Sequence, residues 1–497
     1  MQAAIAHIRS WLHRSFLEEK LNNVQGAILL VGGAAFLSVL MVVLGLKIGV
    51  ALIGLFIGVP VMILALVDLR FGLAVILVLA FFVNFISKYT SFPVGTGLDA
   101  LFFLMFFGMM VRVAQYRDWK MPKGPVTTII LVWIGYNLLQ VLNPEAPSRA
   151  AWLYTVRSLA ILQLIYFVAH YAFRSLQDIK QFLKVFIILA IIAAVYGLKQ
   201  EYFGYNSREW AWLYENPRRY QLIVQWSRYR VFSLFSDPTT FGTVMAYGGT
   251  FCFILATGPF RKISRVVLVL GGLAMMLSMA YAGSRTPFIL IPAALGLYAL
   301  LNLSKQVIIV VGVLTVLGAG MIMKSTSNPV IYRIQSAFEP TTDASVQVRL
   351  ENQEIVQPYI QSHPFGAGLG TTGVWGERFS PDFWLAGFPH DSAYVRMAVE
   401  TGWLGLVIYM AIFFIAFQVS VFYYFRVRNP QIKIMYLGLA MITFILGMAS
   451  YPQEVVTLLP NSIIYYVLLA IVVRLKDFDT DPEEPVVSVA SQKPNRI

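Results

Sequence analysis

A chain of 497 residues that is 58% apolar and only 13% charged falls far below the roughly one-quarter charged content of soluble domains, which excludes an ordinary soluble protein and points to a polytopic membrane protein. The formal charge of +13 is no argument for nucleic acid, because lysine and arginine gather in the cytoplasmic loops of membrane proteins. The single cysteine, Cys252, lies in an apolar run, so one chain can build neither a disulfide nor a thiolate metal site.

The N-terminal stretch M-Q-A-A-I-A-H-I-R-S-W-L-H-R has no apolar core ending in small residues, so no signal peptide is expected. Residues 1–25 read instead as a basic amphipathic segment on the inner face. A bilayer core needs about 20 mostly apolar residues as helix. On that criterion spans are predicted at Gly26–Leu46, Ile48–Val67, Phe71–Ile86, Leu98–Val113, Val126–Leu142, Ala151–Phe173 and Phe182–Leu198. Further spans follow at Thr239–Thr257, Val266–Tyr281, Pro287–Leu303, Val307–Met323, Ala393–Phe422, Ile434–Ser450 and Asn461–Val473. The first two are barely separated at Lys47. The expected fold is therefore all-α, a polytopic transmembrane helical bundle of about 12–14 spans.

Basic residues in short loops set the orientation. Alternate connections hold Arg70, then Arg112, Arg117, Lys120 and Lys123, then Arg174 and Lys180, then Arg261, Lys262 and Arg265. The same set continues through Lys305, Arg426, Arg428 and Lys433 to Arg474 and Lys476, whereas the short loops of the other set hold only Lys47, Lys88 and Arg149. Both termini are thus expected to be cytoplasmic, with two long loops outside. The chain divides into a cytoplasmic N-terminus (1–25), a first membrane bundle (26–198) and an external loop rich in aromatics and arginine (199–238). Membrane helices with a Ser-Arg-Thr turn follow (239–323), then a long external loop (324–392) and the last membrane helices (393–476). The polar, proline-bearing tail 477–497 reads as disordered.

The 199–238 loop interleaves Trp and Tyr with arginines, among them the pair Arg218–Arg219. Two accounts fit: an aromatic belt at headgroup level, or a platform on which sugar rings stack while arginines hold anionic groups. Three other arginines stand out once the spans are subtracted. Arg230 precedes F-S-L-F-S-D-P-T-T-F-G, in which Asp237-Pro238 predicts a helix start with proline at the first position. Arg285 sits in A-G-S-R-T-P between two apolar helices with almost no loop, where a charge either snorkels to headgroups or faces a polar cavity. Arg349 lies in V-R-L-E-N-Q-E-I-V-Q-P-Y-I, which predicts an amphipathic helix at the membrane surface. Its spacing from Glu351 is poor for an ion pair.

Of the two histidines in the long loop, His363 before Pro364 reads as a turn residue. His390 precedes Asp391 and Ser392, either of which could cap the following helix; its near-neutral titration suits a general base. Arginines around an external cavity suit a phosphate or diphosphate, since guanidinium forks bind such oxygens bidentately at any pH. There is no P-loop, H-E-x-x-H or G-x-S-x-G motif, and the external loops hold no D-x-D cluster for a divalent cation. No metal and no cofactor are therefore expected.

The ordered set of Arg230 before F-S-L-F-S-D-P-T-T-F-G, then G-S-R-T, then R-L, H-P-F-G-A-G-L-G and H-D-S-A-Y-V-R-M-A-V-E-T-G-W-L-G resembles the bacterial O-antigen ligase and polymerase superfamily. The resemblance covers roughly residues 230–405. Asp391 and Thr286 stand where many relatives have asparagine and glycine. The resemblance implies a GT-C type, metal-independent, inverting glycosyltransferase of the inner membrane, with its active site on the periplasmic side. Its donor would be a polyprenyl-diphosphate-linked glycan and its acceptor a glycan or glycolipid. Residue by residue, it makes His390 the base, with Arg285, Arg349 and nearby Arg230 on the diphosphate. Arg157, about two turns inside its span, either adds a further charge to the site or pairs with a neighbouring helix, and Arg218 and Arg219 are next in line. A flippase or other transporter of lipid-linked oligosaccharide, and a glycan-binding scaffold, are the alternatives. The first is disfavoured by the gathering of these residues on one side, and the second is separable by replacing His390.

Overall fold

The computed structural model describes residues 46–90, 94–117, 121–225, 228–323, 329–338, 344–389 and 392–479, with scattered positions between 28 and 39. The amphipathic segment 1–25, most of the expected span Gly26–Leu46, His390 with Asp391, and the tail beyond residue 479 lie outside the described residues.

Helices dominate. The first group is α1 (Leu46–Val67), α2 (Leu69–Ser87), α3 (Val94–Tyr116), α4 (Pro125–Leu139), α5 (Arg149–Leu159), α6 (Ile165–Ala172) and α7 (Leu176–Phe203). Two short helices, α8 (Ser207–Tyr214) and α9 (Pro217–Ile223), precede an antiparallel pair of two-residue strands, β1 (Val224–Gln225) and β2 (Arg228–Tyr229). Then come α10 (Pro238–Ala256), α11 (Lys262–Tyr281), α12 (Thr286–Asn302), α13 (Lys305–Met323), α14 (Pro329–Ser336), α15 (Ala344–Ser362) and α16 (Gly373–Phe379). The chain closes with α17 (Ala393–Tyr424), α18 (Pro430–Ala449) and α19 (Asn461–Arg474). Among the described residues nine helices are long and apolar enough to cross a membrane, and α12 and α13 supply shorter apolar stretches. The protein is an all-α, multi-pass membrane protein.

Local chemistry sets the helix starts. The Asp237 carboxylate accepts the Thr239 and Thr240 amides at 2.9 and 2.8 Å, with Pro238 at the first helical position, as D-P-T-T predicts. A reciprocal capping box between Ser175 and Asp178 opens α7 six residues ahead of the expected Phe182. The same carboxylate receives Arg70 at 3.0 Å, joining the first turn of α2 to the start of α7. Helices α10, α18 and α19 are the most buried. Helix α19 is only 14 residues long and packs on α6, α17 and α18, so its all-round apolar pattern reflects enclosure by other helices.

Two expected spans are not continuous helices. The Ala151–Phe173 stretch breaks at Ala160 and passes through a 3-10 turn, Ile161–Leu164, before α6 begins. There Gln163 turns inward, its amide nitrogen donating to the Leu159 carbonyl of α5 at 2.6 Å and to the Tyr466 hydroxyl of α19 at 2.8 Å. Helix α17 breaks at Gly402, whose φ of 71° leaves the helical region.

Candidate functional site

The break at Gly402 organises the site. It leaves carbonyls in the preceding turn without their helical partners, and the H-P-F-G-A-G-L-G loop supplies replacements. The Ala367 and Gly368 amides donate to the Val399 and Glu400 carbonyls, each at 2.9 Å, and the Tyr136 hydroxyl donates to the Thr401 carbonyl at 2.6 Å. Gly366 and Gly402 both have positive φ, and a β-carbon on Gly366 would lie 2.4 Å from the Gly402 amide nitrogen. Only glycine allows backbones so close in that conformation. Gln140 and Asn143, just beyond α4, hold the Phe365 carbonyl at 3.1 Å each, and Asn143 also reaches the Gly366 carbonyl at 3.0 Å. The H-P-F-G and E-T-G motifs are thus two halves of one packing unit.

A buried charge network sits in the same helix. Arg396 donates to Glu454 at 2.8 Å and lies 3.3 Å from Glu400; fully buried Glu400 accepts from the Thr372 hydroxyl at 2.6 Å. The start of α17 is further fixed by the Ser392 cap on Val395, by the Ala393 amide to the Ser450 carbonyl at 3.1 Å, and by the Tyr394 hydroxyl to the Gly447 carbonyl at 2.6 Å. Asp391 lies outside the described residues, and Ser392, the other of the two candidate caps, takes that role. His390, two residues earlier, lies outside the described residues. His363 stacks on Tyr359 with centroids 3.9 Å apart, its Nδ1 2.9 Å from both the Tyr359 carbonyl and the Ser362 hydroxyl, a helix-end arrangement that matches the turn reading.

Three arginines distant in sequence converge on the turn between α11 and α12. Arg285 precedes the first residue of α12. Burial, and next the neighbouring Arg349 guanidinium, hold Arg285 below the ordinary arginine value, with Tyr332 of α14 acting the other way; at neutral pH it remains a cation. Arg349, in the second turn of α15, is near enough for its charge to act on Arg285. Arg230 is buried and strapped to the same turn: its Nε donates to the Ala282 carbonyl at 3.2 Å, its Nη1 to the Leu222 carbonyl at 3.1 Å, and the next amide, Val231, to the Tyr281 carbonyl at 3.1 Å. Like charges gathered this way repel one another, and an anion between them relieves the repulsion.

The other arginines have different surroundings. Arg157 forms an ion pair with Asp99 of α3, the neighbouring-helix arrangement. Arg219 lies 4.0 Å over the Trp212 ring and 3.6 Å from Glu215, and donates to the Trp212 carbonyl. Arg218 is exposed beside it on α9, its amide capped by Asn216. Their loop is a folded unit around Leu213, Ile223 and Phe232, with Trp210, Tyr214 and Tyr220 stacked in succession at 5.6 Å.

Sequence reasoning passed over Lys88. It is buried just past α2, with its ammonium 4.0 Å from the Phe232 ring centroid, 4.7 Å from that of Trp212, and donating to the Phe235 carbonyl at 3.2 Å. A lone lysine in a short loop carries no signal of this. The Arg396–Glu454 pair was equally hidden, since 58 residues separate its members.

The fold and the site define a multi-pass membrane protein with a cationic cluster and an interlocked glycine-rich unit at one end of its bundle. Residues 267–410 match the family model described as O-antigen ligase. The matched region runs from α11 past the Gly402 break, and over that stretch the chain is similar to the O-antigen ligase family, which supports a place in the superfamily of ligases and polymerases acting on glycans. No curated protein matches the chain.

Proposed function

We propose that this protein is a metal-independent, inverting glycosyltransferase acting at the periplasmic face of a bacterial inner membrane. The acceptor sugar hydroxyl attacks the anomeric carbon of a polyprenyl-diphosphate-linked glycan from the side opposite the diphosphate. His390 takes the hydroxyl proton, the new glycosidic bond forms, and the anomeric carbon–oxygen bond breaks with its electron pair leaving on the diphosphate. Arg285 and Arg349 bind that diphosphate, with Arg230 beside them, and stabilise the charge that develops on it. The acceptor is a glycan or a glycolipid.

The observation that carries this reading is the strapping of buried Arg230 to the turn that bears Arg285, with the charge of Arg349 close enough to act on Arg285. A cluster of guanidinium groups would serve the role that a divalent cation plays in other diphosphate sites. Purified protein supplied with a polyprenyl-diphosphate glycan and acceptor should transfer in excess chelator and give a product of inverted anomeric configuration by NMR. Activity that vanishes with chelator and returns with magnesium, or a retained configuration, would overturn the proposal.

A further inference from the structure

At the opposite end of the bundle, we propose, a groove at the start of α11 binds one anionic diacyl phospholipid from the adjacent leaflet. The groove has a volume of about 420 Å³ and is lined by Ala256, Lys262, Arg265, Val266, Val269 and Leu270. Arg265 Nε donates to the Ala256 carbonyl at 2.8 Å, which ties α11 back to the end of α10 and holds the guanidinium at the groove rather than free to snorkel away. Lys180 is brought to the same turn through Gln431, which accepts from it at 2.5 Å and donates to the Pro259 carbonyl at 3.3 Å. The sequence has no Asp or Glu between Asp237 and Glu339, and among the described residues no carboxylate pairs with Arg261, Lys262 or Arg265. Among the described residues the site is positive without internal compensation.

Below the cations runs an apolar track. Val266, Leu270, Leu273 and Leu277 are all exposed and follow the three- and four-residue spacing of one helix face. From Val266 to Leu277 the track is roughly 16 Å long, close to the ~15 Å depth of one hydrocarbon leaflet. A cationic head above an apolar track one leaflet deep is complementary to an anionic phosphodiester carrying acyl chains. A soluble phosphate would use only the head of such a site, and a zwitterionic lipid would meet uncompensated positive charge with little net charge of its own.

The test is native mass spectrometry of the full-length, detergent-solubilised protein titrated with phosphatidylglycerol or phosphatidylcholine of identical acyl chains. One phosphatidylglycerol should be retained more tightly than phosphatidylcholine. Near a membrane surface each basic residue contributes roughly fivefold in affinity, so Lys262→Gln with Arg265→Gln should weaken phosphatidylglycerol by tenfold or more and leave phosphatidylcholine unchanged. Because Arg265 also ties the turn, Val266→Gln provides a second variant that keeps both cations and spoils the track; it too should weaken phosphatidylglycerol. Equal binding of the two lipids, parental affinity in both variants, or displacement of the lipid by excess inorganic phosphate would each overturn the assignment.

Discussion

Gly402 stands so close to the Pro364 carbonyl that a β-carbon there would lie 2.0 Å from the oxygen. The contact couples the H-P-F-G loop to the helix that follows His390, and it explains in one stroke why α17 breaks and why the loop is rich in glycine. The freed carbonyls, the positive φ angles and the interlocking amides belong to a single arrangement.

Gly402→Ala should therefore be severely destabilising. It combines a steric overlap with backbone that cannot retreat and a left-handed conformation, together costing about 3 kcal/mol or more. The melting temperature and yield of the variant in detergent measure this. Gly387→Ala is the control, because a β-carbon there meets nothing within 4 Å. Parental stability of Gly402→Ala would show that the interlock is looser than described.

How much of this was legible in sequence follows from how local the information is. The D-P-T-T helix start, the Ser392 cap and the existence of a helix bearing Arg349 depend on neighbours within one turn of chain, and each is seen in the structure. The broken span at Ala160 was not legible, and the bond that Gln163 makes beside it reaches Tyr466, about 300 residues away. The arginine cluster was suggested by the unsuitability of each arginine for its own surroundings. Sequence could not say that Arg230 would reach the turn at Ala282, nor that Arg157 would meet Asp99.

Lys88 offers a pH test. Burial pulls its ammonium down from 10.5 to about 7; Glu209 opposes the shift and Arg219 adds to it. Between about pH 7 and pH 10.5 the unfolded chain holds a proton that the folded protein has released, so stability rises with pH across that window. Below pH 7 both states are protonated and the penalty of the buried charge is fully expressed. The gain across the whole window is roughly 5 kcal/mol, about half of it between pH 7 and pH 9. Melting temperature should climb between pH 7 and pH 9 in the parent and stay flatter in Lys88→Met. Identical profiles would mean that the Lys88 ammonium is better solvated than its burial between Phe232 and Trp212 suggests.

Orientation can be tested by labelling. A cysteine at position 387, in the long loop, should react with an impermeant maleimide in intact spheroplasts. One at position 428, between α17 and α18, should react only after the membrane is opened. Cys252 is buried and should contribute little background. The reverse pattern would place the arginine cluster on the cytoplasmic side and remove the periplasmic mechanism with it.

Proton transfer and anion binding separate in the final comparison. If His390 is the base, His390→Ala loses a contribution that is typically about 10²–10⁴-fold in rate, and the loss should persist at saturating donor because the diphosphate contacts are intact. Arg285→Lys keeps a positive charge but loses the planar fork that holds two oxygens at once. The diphosphate is anionic before departure and more so during it, so donor affinity and turnover should fall together. Arg349→Lys should behave in the same way, since the two guanidinium groups act on one anion, and the double variant should lose less than the product of the single losses. Each variant must match the parent in melting temperature, because a misplaced charge near the membrane lowers activity by unfolding alone. A well-folded His390→Ala that transfers glycan at the parental rate would return His390 to a structural role. Arginine variants with parental donor affinity and turnover would move the diphosphate away from the α11–α12 turn, with Arg157 and the Arg218–Arg219 pair the next residues to replace.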